Sequence, residues 1–290
     1  MMVKMLLRNA TNQYSISNSG GRMQINRSKI NMMPLIRGPL WDQNNIPGEN
    51  YSHVESLMLV YETDPQAIAT LLPEPFKPGK ESLVSVLFND NNGVDFMAGG
   101  GYRFAAIAVN TQFNGEAGHL EGNYALVMPE NNTLPIMTGR EWLGMPKFYT
   151  DISPIRVLED GHLRCEASLW GHLLFGIDVA PPLKKQNALV CRVASSQASK
   201  EPTFGYKYIA SLNGPPDADY PTIMWTDSTI ERLWLGRSGE FYFGDPSQQD
   251  IGDFKPIIDA LKSLPIRKVR QTSHSYGSMV LRNDKNGRIR

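Results

Sequence analysis

Chemistry is offered at one place in the chain, the stretch GREWLGMPKFYTDI (residues 139–152), where Lys147 stands between Pro146 and Phe148. Its apolar neighbours are Trp142, Leu143, Met145, Phe148 and Tyr149, and Arg140 is the only other cation in the stretch. A lysine normally marks a solvated face. Here either the stem snorkels past apolar neighbours to water, or the amine is held where water is scarce. The second arrangement makes a nucleophile, because a neutral amine attacks carbonyl carbon and an ammonium does not. At a lysine's ordinary pKa of about 10.4, only about one amine in 2,500 is neutral at pH 7. Bringing that value to about 7 frees about half, and it destabilises the ammonium form by about 4–5 kcal/mol. Exclusion of water by Trp142, Met145 and Phe148 is the means the sequence provides.

The elements around Lys147 follow from local rules. Thr138 and Glu141 have the spacing of a capping box, which predicts a short helix beginning at TGREWLG. Gly144 can end that helix and Pro146 forbids its continuation, after which Phe148-Tyr149-Thr150 reads as strand. Lys147 then falls at a helix-to-strand junction, where a side chain can be aimed into an interior. Farther out, SLMLVYE, SLVSVLF, RFAAIAVNTQF, NYALVMP, LRCEASL, ALVCRVA, YKYIASL, TIMWTDSTIERLWLG and EFYFG are short, often alternating runs. NDNNG, NGEAG, EDG, NGPPD and GDP stand between them as turn signals. This texture predicts a mainly β (α+β) barrel or sandwich. Two helices are expected, 64–72 with Asp64 as N-cap, and 253–264 with Phe254, Ile257, Ile258 and Leu261 on one face. Three segments result: a flexible N-terminal arm or start-site extension at 1–33, a β domain at 34–282, and a polar tail at 283–290.

Composition removes several classes. Twenty-nine basic residues balance twenty-nine acidic ones, which lacks the basic excess of a nucleic-acid or anionic-membrane binder. No apolar run reaches the ~18 residues of a membrane span, and a cytoplasmic location is the natural expectation. Cys165 and Cys191 lie in strand-like runs with no CxxC pairing, so buried free thiols are expected. The five histidines (53, 119, 162, 172 and 274) have no ligand spacing. GRSGE fails the spacing of a hydrolase elbow, and Gly99-Gly100-Gly101 lacks the Lys-Ser/Thr of a phosphate loop, leaving a turn before a strand. No metal and no cofactor is implied.

The stretch around Lys147 resembles the catalytic segment of the acetoacetate decarboxylase family, roughly G-R-E-x-x-x-x-P-K, through Gly139, Arg140, Glu141, Pro146 and Lys147. IRGPLWD (36–42), LVYETDPQAIATLLPEPF (59–76), FNGEAGHLEGNYALVMPENN (113–132), LWLGRSGEFYF and LKSLPIRKVRQTSHSYG resemble further family segments in the same order, over about residues 34–282. The resemblance implies a cone-like antiparallel β-barrel with peripheral helices, a homo-oligomer, and an interior lysine, here Lys147, that forms an imine with a keto acid. The family's activated lysine is an established instance of this chemistry and is taken over from it. Substrate contacts are expected from Arg140, Glu141, Trp142, Met145, Phe148 and Phe104.

Two departures from the family pattern bear on the reaction. A second lysine follows the nucleophile in the decarboxylase, and Phe148 stands there. An arginine and glutamates that handle the substrate fall at Val54, Leu87 and Phe104, with Arg103 and Glu55 adjacent as substitutes. The resemblance therefore implies decarboxylation of acetoacetate or a related β-keto acid. Left open beside it are a lysine-imine aldolase or dehydratase reaction on a pyruvate-like acid, and a non-catalytic barrel that binds a small acid.

Overall fold

The computed structural model describes residues 48–116, 118–181, 195–198 and 201–290. The expected arm, the IRGPLWD segment, Cys191 and the ALVCRVA run lie outside the described residues. The alternating runs form strands as expected, and TIMWTDSTIERLWLG divides into two, Ala218–Met224 and Thr226–Gly236. Twelve strands make one large sheet, whose main path runs Ser195–Ala198, Thr226–Gly236, Lys268–Leu281, Glu49–Glu62, Leu83–Val94, Tyr102–Gly115, Gly118–Glu130, Thr203–Ile209, Ala218–Met224 and Gly287–Arg288. A smaller sheet contains Gly239–Phe243, His172–Val179, Leu163–Leu169 and Asp151–Ile152 in that order.

The barrel expectation is narrowed. Among the described residues no pairing joins the two ends of the large sheet, so the fold is a mainly β, two-sheet arrangement with few helices. Nor is every pair antiparallel. Lys147–Tyr149 runs parallel to Met128–Glu130, because a helical crossover, Thr133–Glu141, joins the two strands and returns the chain in the same direction. Thr203–Phe204 likewise runs parallel to Asn123–Tyr124.

Period-two alternation gives the large sheet two distinct faces. One face presents Leu57, Leu59, Val86, Phe88, Ala105 and Ile107 to the smaller sheet's Cys165, Ala167, Phe175, Ile177 and Phe241 in the main core. Phe88 meets Phe175 with ring centroids 5.8 Å apart, and Tyr61 stacks on Phe241 at the same distance. The Cys165 thiol, donating to the Ser153 carbonyl, is pushed up to about 11 by burial and is a core residue, not a reagent. The other face carries the residues of chemical interest.

The helix at Pro65–Leu71 begins as expected, with the Asp64 carboxylate accepting from the Gln66 amide at 3.2 Å. The later helix spans Lys255–Lys262 and buries Ile258 and Leu261, while Ile257, expected on the same face, is exposed. Residues 283–290, expected as a polar tail, add the Gly287–Arg288 strand beside Thr222–Ile223 and bury Ile289 among Phe76, Phe113 and Phe204.

Candidate active site

The helix before Lys147 does not begin where the capping-box pattern placed it. It runs Thr133–Glu141, capped by Asn132, whose side chain accepts from the Leu134 amide at 3.0 Å. Thr138 lies inside it and donates its hydroxyl to the Leu134 carbonyl. Asn-Thr-Leu-Pro supplies an equally good start, with proline in the first turn where no amide is needed. Gly144, at φ +67°, ends the turn as expected. The loop is then tied from outside, since Lys207 donates to the Glu141 carbonyl at 2.5 Å and Thr222 to the Leu143 carbonyl at 2.6 Å.

This crossover sets Lys147 against the helix it follows. Pro135 and Gly139 are four apart and share a helix face, and the lysine stem lies along that face. Its Nζ donates to the Pro135 carbonyl at 3.3 Å. At Gly139 an added Cβ would stand 2.4 Å from Lys147 Cε and 2.7 Å from Nζ. Glycine is therefore required here for close approach. The Arg140 guanidinium, one residue on, donates to the carbonyl of Lys147 itself at 2.7 Å and fixes the backbone from which the stem departs.

The lysine is 8% exposed and does not snorkel. Its Nζ meets Glu130 Oε1 at 2.7 Å, and Glu130 is 1% exposed. Burial pushes the Glu130 carboxyl above the usual carboxylate range, while the Lys147 charge pulls it back. Its second oxygen, Oε2, has no hydrogen-bond partner among the described residues. The folded chain thus holds the Glu130 proton more tightly than the unfolded chain does. The stabilisation from this group is complete below the unfolded carboxyl's pKa of about 4.5 and is lost as pH rises through the higher folded value. Glu130→Gln removes that titration. Chemical denaturation from pH 4 upward is expected to show the variant gaining on the native chain as pH rises, and a pH-independent difference would contradict it.

Strand register identifies what else shares this face. Directly opposed residues point the same way, and Glu130 opposes Phe104, which opposes Asn89. Two residues along, Tyr102 opposes Asn91, which opposes Val54. Leu87 opposes Ala106, and Met128 is in register with Lys147. Trp142, Met145 and Phe104, all expected as substrate contacts, pack in one cluster with Met128, Ala106 and Leu87. Val54, Leu87 and Phe104 thus lie on the lysine's side of the sheet.

Other expected residues fall elsewhere. Phe148 alternates with Lys147 onto the opposite face, where it packs against Phe254 at 4.9 Å and joins the main core. It is not brought to the amine. Arg103 and Glu55 are likewise on the opposite face. Arg103 pairs with Asp90 at 2.6 Å, and Glu55 accepts from His274 and Tyr276 at 2.7 Å each. Neither replaces the family's arginine or glutamates. Arg140 and Glu141 flank the amine's helix and act here through backbone contacts, the Arg140 guanidinium as donor and the Glu141 carbonyl as acceptor.

Sequence reasoning missed Glu130, Asn89, Asn91 and Tyr102. The signal for Glu130 was its parity with Met128 at the end of NYALVMPE. NDNNG, read as a turn, is in fact part of the strand Leu83–Val94. Only Gly93 within it has positive φ. Asn89 and Asn91 alternate onto the lysine's face while Asp90 pairs with Arg103 on the other.

Comparisons with known proteins bear on the family and the fold. A sequence model of the family "Acetoacetate decarboxylase (ADC)" matches residues 32–286. The acetoacetate decarboxylase of Clostridium acetobutylicum is 26% identical over 238 residues, covering 78% of this chain and 84% of that one. That of Clostridium botulinum is 24% identical, covering 78% and 83%. Among solved structures, acetoacetate decarboxylase from Legionella pneumophila superposes with a TM-score of 0.65 at 19% identity, over 89% of this chain and 94% of that one. The enduracididine biosynthesis enzyme MppR, complexed with pyruvate, superposes at 0.65 with 17% identity, over 90% and 97%. With a matching family model over most of its length and a buried lysine in the G-R-E-x-x-x-x-P-K segment, the chain belongs to the acetoacetate decarboxylase family.

Proposed function

We propose that the protein is a carboxy-lyase acting on a β-keto acid through an imine at Lys147. The observation that carries this reading is the buried Lys147–Glu130 pair at 2.7 Å on a largely apolar sheet face. The Glu130 carboxylate, 2.7 Å from Nζ, is placed to take the ammonium proton as substrate enters, which frees the amine. The amine then attacks the β-carbonyl carbon. Glu130 returns its proton to the carbinolamine hydroxyl, which leaves as water. The resulting iminium accepts the electron pair of the bond to the carboxylate, so carbon dioxide departs and an enamine remains. Protonation at carbon and hydrolysis release the ketone and restore the amine. Phe148 removes the second lysine of the family pattern, and Glu130 supplies the proton acceptor that this chain offers instead.

A second reading has a specific observation behind it. Val54, Leu87 and Phe104, in place of polar groups, share the lysine's sheet face, and the chain superposes equally well on a pyruvate-bound relative. An imine with a pyruvate-like acid, leading to aldol or dehydration chemistry, suits the same amine. Sodium borohydride added with a panel of 2-oxo and 3-oxo acids is expected to leave an adduct on the peptide containing Lys147. Release of carbon dioxide from the 3-oxo acids selects the first reading. Acetoacetate is expected to turn over more slowly than longer acids, because Val54, Leu87 and Phe104 enlarge the apolar wall. Absence of any adduct across the panel would overturn the imine.

A further inference from the structure

Burial of an amide without partners is costly, and two asparagines on the lysine's face are so placed. Asn91 is fully buried with the Tyr102 phenol within hydrogen-bonding reach, yet neither Nδ2 nor Oδ1 makes a bond of full geometry among the described residues. Asn89 is 7% exposed, and its Oδ1 is similarly unpaired. With Glu130 Oε2, four unpaired polar atoms stand on three residues that register places along one face. Tyr102 opposes Asn91 directly, is within hydrogen-bonding reach of its side chain, and is within electrostatic reach of Tyr51 and Glu130. Its hydroxyl lies 3.4 Å from that of Tyr51. Burial, with Tyr51 and Glu130 adding to it, raises the Tyr102 phenol well above its ordinary range, so it remains a neutral donor.

We infer that Asn89, Asn91 and Glu130 form an oxygen-binding subsite of the Lys147 pocket, and that the substrate is a keto acid bearing a hydroxyl beyond its carbonyl carbon. The inference deepens the imine reading and rests on it for the keto acid class. A hydroxyl both donates and accepts, which matches an amide nitrogen on one side and amide or carboxyl oxygens on the other. A carboxylate only accepts, and it would be set against Asn Oδ1 and Glu130 Oε2. A plain alkyl chain would leave all four atoms unpaired. Glu130 reaches the amine through one oxygen, and Asn89 lies two strands away, about 10 Å between backbones. With both side chains reaching inward, that spacing places the hydroxyl a few bonds from the imine carbon, within one small substrate.

The test uses matched pairs differing by one hydroxyl, 3-oxopentanoate against 5-hydroxy-3-oxopentanoate and 2-oxobutanoate against 4-hydroxy-2-oxobutanoate. Affinity is measured by calorimetry and imine formation by borohydride trapping, on the full chain and on Asn89→Leu and Asn91→Leu made singly. The native chain is expected to prefer a hydroxylated acid by about tenfold or more, since a site built to bond a hydroxyl rejects the analogue lacking it. Each leucine variant that folds is expected to lose that preference, its affinity for the hydroxylated acid falling to that for the deoxy partner. Equal affinity within both pairs overturns the subsite, even where trapping succeeds and the imine stands. A preference unchanged in either folded variant also overturns it. A preference that both variants lose, with no trapping by any acid, upholds the subsite and removes the imine.

Discussion

Lys147→Arg is expected to abolish turnover and the borohydride adduct together while leaving thermal unfolding close to that of the native chain. Arginine retains a cation for Glu130, so the buried carboxyl is not abandoned, but a guanidinium stays protonated at any working pH and does not attack a carbonyl. The variant therefore separates the two duties of the residue, pairing and nucleophilic attack. Loss of a covalent nucleophile reduces turnover on the order of 10⁴-fold or more. Lys147→Ala is expected to lose activity equally but to unfold sooner. It leaves Glu130 buried without the Lys147 ammonium, and breaking a buried pair from one side costs about 3–5 kcal/mol. Substantial turnover in Lys147→Arg, measured as carbon dioxide release from the best 3-oxo acid, would assign the chemistry to another group.

The second large effect is expected at a residue without a side chain. In Gly139→Ala the new methyl would sit 2.4 Å from Lys147 Cε, 2.6 Å from Cδ and 2.7 Å from Nζ. Carbon atoms pack at about 3.5–4.0 Å, so the stem must move by about 1 Å. A displacement of that size at a reacting atom costs about 10²-fold in rate. Stability is expected to change little. Alanine favours the helix over glycine by about 1 kcal/mol, and overpacking opposes this by about 1–3 kcal/mol. The crowded atoms belong to the end of a flexible chain, which yields before the fold does. A kcat reduced about a hundredfold at near-native melting temperature is the expected signature, and unaltered kcat would mean that the helix does not aim the amine.

Much of this architecture was legible in the residues because strands announce themselves by alternation and helices by their caps. Asp64 and the described runs between SLMLVYE and EFYFG were read correctly for that reason. Lys147 was legible because a cation among Trp142, Met145 and Phe148 violates the usual pattern. What escaped notice was polar residues obeying the pattern. Glu130 ends a strand and reads as solvated, and Asn89 and Asn91 sit in a string that resembles a turn. Their meaning comes from register across Tyr102–Gly115, a long-range pairing that no local window contains. Phe148 was misassigned for the opposite reason, since adjacency to Lys147 along the chain places it on the other side of the sheet.

The clamp from Arg140 to the carbonyl of Lys147 spans only seven residues, and Gly139, which clears the path of the stem, is its neighbour. The proposed nucleophile, its clearance and its clamp are thus one contiguous cassette, encoded within nine residues from Gly139 to Lys147. The residues that share the lysine's sheet face, Val54, Leu87, Asn89, Asn91, Phe104 and Glu130, are scattered over four other strands. Inheritance can therefore act on the two separately. Drift or laboratory selection along those strands can retune which acid is accepted while the cassette passes on intact. The same cassette can in this way serve unlike reactions across a lineage, and libraries seeking new substrates should spare residues 139–147 and randomise the strands.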